Sequence, residues 1–141
     1  MPESLEQAAV EATQRVMETA AFLTVWPWSE EDGDLPLPDM AASMLFRGPC
    51  TGRLTLRVSS TLLNTITQNM LGELTEEDSP EEKGQDAVCE MLNMICGNLL
   101  TIWQGDEPVF NLNPPQVLNE DALAALPKPN ACVSFYLEGT R

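Results

Sequence analysis

The chain has 141 residues, of which 22 are acidic, seven basic and none histidine, giving a net charge of −15; 43% are hydrophobic. That apolar share can fill a core within one domain's length, while the charge repels phosphate backbones and anionic lipid surfaces, so neither nucleic acid nor membrane is an expected partner. Without histidine there is no Ser-His-Asp or Cys-His chemistry, no HExxH zinc site and no phosphohistidine relay, which leaves carboxylates, amides, hydroxyls, thiols or a partner's groups.

The N-terminal stretch is acidic and lacks a hydrophobic run of signal-peptide length, and no apolar run approaches a membrane span. Ser4 is placed to cap a first helix, with Gln7 three residues on. The following LEQAAVEATQRVMETA sets Leu5, Ala9, Ala12, Val16 and Ala20 in one stripe. FLTVWPW reads as a strand broken by Pro27, and the acidic, Pro- and Gly-containing Ser29–Asp39 as a loop. MAASMLFRG and GRLTLRVSS then read as a hairpin. In its second strand Leu54, Leu56 and Val58 alternate with Arg53, Thr55 and Arg57, so that one face is wet.

STLLNTITQNMLG is a shorter amphipathic helix with Gly72 as its C-cap. Ser79-Pro80-Glu81-Glu82 has the form of a capping box that launches a long helix ending near Gly105. EPVFNLNPPQVL reads as extended, with a bend at Pro114 and Pro115. NEDALAALPKPN reads as a helical turn and loop, and ACVSFYLEG as a closing strand. The order implies an α+β domain: two layers, with a largely antiparallel sheet covered by about three helices. The four cysteines form no CxxC pair and read as small buried thiols of a reducing, cytoplasmic compartment.

The long helix carries the functional signal. At about 100° per residue, Asp86, Glu90, Asn93, Gly97 and Thr101 fall within an arc of roughly 80°, and Val88, Leu92, Ile95, Leu99 and Ile102 lie opposite. Glu90 and Asn93 are therefore outward neighbours one turn apart, with Gly97 beyond them. A mid-helix glycine costs roughly 0.5–1 kcal/mol relative to alanine. Gly97 serves either to let another backbone approach or to admit a neighbouring element of the same fold. A carboxamide can hold a water in line with a bond, and a carboxylate can pair with a partner's lysine. Such positioning chemistry suits an already activated acyl phosphate. The alternative is the solvated face that any amphipathic helix has.

DAVCEMLNMICGNLL resembles the signature helix of CheX, in the CheC/CheX/FliY group of response-regulator phosphatases. MLFRGPCTGRLTLRVSSTLLNTITQNMLG resembles the group's hairpin and following helix, so the likeness covers at least Met40 to Leu118, within a single CheX-like domain over residues 1–141. The resemblance implies a phosphatase that hydrolyses the phospho-aspartate of a CheY-like receiver domain. Asn93 would orient the attacking water and Glu90 would pair with the receiver's lysine, with Asp86, Gly97 and Thr101 flanking the contact. It implies no cofactor of the chain's own, magnesium being carried by the receiver. CheC-type proteins often carry two such helices. Glu90–Asn93 is the one Glu-x-x-Asn here, Glu11-Ala12-Thr13-Gln14 not matching, which points to the CheX type and to a homodimer. A non-catalytic receiver-binding module and a dimerisation module are the alternatives. Because a receiver pocket is itself acidic, the charge of −15 implies local compensation near the contact, for which Arg47, Arg53, Arg57 and Lys83 are the candidates.

Overall fold

The structure, a computed structural model, describes residues 4–27, 40–72, 75–128 and 135–137. The elements in chain order are α1 (Leu5–Ala20), β1 (Val25–Pro27), β2 (Met40–Arg47), β3 (Thr51–Val58), α2 (Ser60–Leu71), α3 (Pro80–Gln104), β4 (Asn111–Leu112), β5 (Gln116–Leu118), α4 (Glu120–Ala124) and β6 (Phe135–Leu137). The loop expected over Ser29–Asp39 lies outside the described residues, as do both flanks of the closing strand.

Helix boundaries follow local chemistry. The Ser4 hydroxyl accepts from the Gln7 N–H at 3.2 Å and opens α1. The Ser79 hydroxyl accepts from the Glu82 N–H at 3.3 Å and opens α3, with Pro80 in the first turn. Gly72 and Gly105 close α2 and α3. The end of α1 is less conventional. Beyond Ala21, the Leu23 N–H returns to the Met17 carbonyl at 3.0 Å, and the intervening Phe22 takes up φ +57°, a left-handed conformation that usually falls to glycine. The Asn69 side chain of α2 donates to the Ala21 carbonyl at 2.7 Å and ties this turn down.

β2 is the centre of a four-stranded antiparallel sheet. It pairs with β3 on one side and with β4 and then β5 on the other. Between the Phe46↔Leu112 and Ser43↔Gln116 pairs, β2 advances three residues and its partner four, so one extra residue is accommodated where Pro114 and Pro115 stand. The bend expected at those prolines is therefore a bulge in an edge. β1 and β6 form a separate two-stranded antiparallel ribbon, so the described strands make two sheets rather than one. Among the described residues there are four helices, three long ones and the five-residue α4, which stands where the sequence reads as a helical turn.

Cross-strand pairing places Ala42, Met44, Phe46, Leu54, Leu56 and Val58 on one face of the sheet, where they join α3 in the core. Gly52 lies opposite Phe46, and the Phe46 ring occupies the space that a β-carbon at Gly52 would need. The same ring meets Phe110 edge-on, at 5.9 Å between centroids. α1 packs along α3 through Ala8 and Ala12, both fully buried, whose small side chains allow close approach.

The left-handed Phe22 is 74% exposed, so its ring contributes little burial while its backbone carries the penalty of a β-carbon at positive φ. Phe22→Gly is expected to raise stability by about 0.5–1 kcal/mol, the relief being partly offset by the greater freedom of glycine in the unfolded chain. Urea denaturation of the two proteins measures it.

Candidate functional site

Nine residues of α3 are buried: Gly84, Ala87, Val88, Met91, Leu92, Ile95, Cys96, Leu99 and Leu100. The apolar arc is thus wider than the one read from the sequence, because α3 is packed by α1 and α2 as well as by the sheet. What remains open is narrow. Between residues 86 and 103, the exposed positions are Asp86, Glu90, Asn93 and Thr101, all on the expected ridge. Gly97 completes the line and is half-buried.

A β-carbon built on Gly97 meets nothing within 4 Å. The glycine therefore makes no room for any described element of this fold, one of the two readings open from the sequence. Gly84 differs: a β-carbon there would sit 3.5 Å from Leu63, in ordinary contact with α2. Asn98, off the ridge, donates to the Met94 carbonyl of its own helix at 2.9 Å, and so bonds its own helix instead of a loop. Among the described residues, the Glu90 and Asn93 side chains make no hydrogen bond or ion pair within the chain. A carboxylate and a carboxamide thus stand one turn apart on an exposed helical face, with no internal partner.

The neighbouring thiols are poor nucleophiles. Burial and then the negative charge of Asp86 push the Cys89 thiol up from its ordinary value, and burial pushes Cys96 to about 11. Cys50 is half-buried and Cys132 lies outside the described residues. No group of three or more His, Cys, Asp or Glu placed to hold a metal ion occurs among the described residues. No helix is long and apolar enough to cross a membrane. Two surface concavities lie elsewhere, one over Ser4–Gln14 of α1 and one between α2 and the start of α3, and neither is lined by Glu90 or Asn93.

The basic residues do not compensate the ridge. Arg47, Arg53 and Arg57 share the sheet face opposite Ala42, Met44 and Phe46, and so lie on the far side of the sheet from α3. Lys83 is on α3 but lies 3.8 Å from Asp78. The Asp78 carboxyl is held below its ordinary value, first by the Thr75 backbone N–H and also by the Thr75 hydroxyl and Lys83. The alternation in β3 already sets Arg53 and Arg57 opposite its apolar side; pairing adds Arg47 to their face, and packing shows that α3 covers the other.

The sequence profile of the family described as chemotaxis phosphatase CheX matches residues 40–138, more than half of the chain, and the chain belongs to that family. No curated protein matches it in sequence. Solved structures share the fold. A CheX from Desulfovibrio desulfuricans is 21% identical, with a TM-score of 0.66 over 82% of this chain and 77% of that one. A CheX from Vibrio vulnificus is 23% identical, with a TM-score of 0.66 over 82% and 74%. The CheX of Borrelia burgdorferi, solved with CheY, BeF3 and magnesium, is 17% identical, with a TM-score of 0.66 over 94% and 89%.

The open space at Gly97 gives a two-sided expectation. Gly97→Ala removes a helix-interior glycine without a clash and should stabilise the isolated protein by about 0.5–1 kcal/mol. If the glycine serves a docking backbone, the same substitution weakens partner binding. Thermal denaturation and a binding titration on one sample separate the two effects.

Proposed function

We propose that this chain is a phosphatase acting on the phospho-aspartate of a CheY-like receiver domain, with the ridge of α3 laid against the receiver's active site. The observation that carries this reading is the exposed, internally unbonded Glu90–Asn93 pair on a helix otherwise held by the core. Membership of the CheX family and the CheX–CheY assembly of a protein sharing this fold support the choice of partner.

In this reading Asn93 enters the receiver's pocket and its carboxamide orients a water in line with the acyl–phosphate bond. The water oxygen attacks phosphorus, the bond to the aspartyl oxygen breaks, and the products are inorganic phosphate and the receiver's carboxylate. Glu90 pairs with the receiver's lysine and fixes the approach. Gly97 lets the receiver's backbone close on the helix, with Asp86 and Thr101 flanking. Magnesium, carried by the receiver, supplies charge stabilisation at the phosphoryl oxygens. This chain's contribution is alignment, which is most of what an activated phosphoryl group requires. The reaction belongs in the cytoplasm, where receiver domains signal.

We also place the protein as a homodimer. Leu112 and Val117 lie on the core-side face of the sheet, yet they are 38% and 37% exposed on the β4–β5 side, where a second copy could cover them. Sedimentation over a range of concentrations should show a dimer that Leu112→Lys with Val117→Lys converts to monomer.

The decisive assay is the decay of a phosphorylated CheY-like receiver with substoichiometric protein. Asn93→Ala should lose roughly 10²-fold or more of the acceleration, as expected for one well-aimed polar group, while still binding the receiver. Glu90→Ala should weaken binding itself. A protein that binds the receivers of its organism but accelerates the decay of none is a docking module and not an enzyme.

A further inference from the structure

The four-stranded sheet is electrostatically unlike the rest of the chain. Its strands contain three of the seven basic residues and none of the 22 acidic ones. Register places Arg47, Arg53 and Arg57 on one face, together with Ser43, Thr51, Thr55 and the half-buried Leu45, and brings Gln116 and the half-buried Leu118 to the same face from the other side. At the centre of that face Ala41 and Ser43 are small and buried, while Arg47, Arg53 and Arg57 are exposed around them. Arg53 donates to the Ser43 hydroxyl at 2.7 Å.

Two cations outside the sheet are paired with carboxylates. Arg15 pairs with Glu11 at 3.0 Å and Lys83 with Asp78 at 3.8 Å. By contrast, Arg47, Arg53 and Arg57 have no carboxylate partner among the described residues, in a chain where acids outnumber bases 22 to seven. Solubility does not explain them, since each lowers the net charge of a strongly charged chain.

We propose that this outer sheet face is a docking surface for an acidic polypeptide segment of a partner other than the receiver. Charge complementarity selects an anionic occupant. Arg53 and Arg57 are four residues apart on one strand, about 13 Å, which matches carboxylates spaced along an extended chain. The screening length of about 8 Å at physiological salt lets a narrow segment feel the arginines without the acidic remainder of the molecule. A broad anionic plane, such as a membrane, would meet that remainder. A second copy docked symmetrically would set arginine against arginine. The face lies across the sheet from α3, so a receiver on the ridge and an acidic segment on the sheet can be held together.

The test uses the full chain and a labelled twelve-residue peptide of alternating glutamate and serine, read by fluorescence anisotropy. Arg47→Glu with Arg57→Glu is the test variant. Both positions are exposed, and Arg53, which holds Ser43, is left in place. The expected result is binding at about 10–100 µM at low salt, weakened about tenfold or more in the variant and by 0.5 M salt, with circular dichroism unchanged. Receiver dephosphorylation by the variant should be unaffected, and Asn93→Ala should still bind the peptide, which keeps this outcome separate from that of the phosphatase assay. Equal binding by protein and variant, or no binding at all, overturns the proposal. Preferential binding to vesicles containing phosphatidylglycerol overturns it in favour of lipid. Loss of a dimer in the variant overturns it in favour of a contact between copies.

Discussion

Everything in this fold depends on holding α3 from several sides. Nine of its residues are buried, and α1, α2 and the sheet all pack against it. Fully burying a large apolar side chain is worth about 1.5–3 kcal/mol, so Met91, Leu92 and Ile95 alone anchor the helix by several kcal/mol before entropy is counted. A helix fixed so firmly presents its remaining strip at a defined angle and height. Glu90 and Asn93 inherit that rigidity without contributing to it, which is the condition for catalysis by alignment.

Much of this was legible in the sequence because the signals were local. Ser4, Ser79, Gly72 and Gly105 mark helix ends through hydrogen bonds and backbone conformations that act within a few residues. The alternation in β3 gave its wet face, and the wheel of α3 gave the ridge. Three features were not legible, for a common reason. The width of the buried arc depends on α1 lying beside α3. The separation of the β1–β6 ribbon from the main sheet depends on which strand the last one chooses. The direction in which Arg47, Arg53 and Arg57 point relative to the ridge depends on which sheet face the helix covers. Each is set by contacts between elements far apart in the chain. The open space beside Gly97 belongs with them: sequence identifies a glycine, but only packing shows that none of the described residues fills the place.

The molecule separates its charges as well as its layers. Asp86 and Glu90 stand on the helix side, and the three arginines stand on a sheet face to which the four strands bring no carboxylate. A net charge of −15 therefore describes neither surface. Long-range repulsion from other acidic proteins is governed by the total, and short-range recognition by what lies within a screening length.

The exposure of Glu90 and Asn93, outside both surface concavities, has a consequence for how the protein can be blocked. Small molecules gain affinity by being enclosed, and exposed side chains such as Glu90 and Asn93 offer little enclosure. A competitor must itself supply the enclosure. If the ridge enters a receiver's pocket as proposed, discrimination among similar targets rests with the depth and lining of that pocket, so that one unchanged helix can serve several targets and the choice among them is made on the other side of the contact.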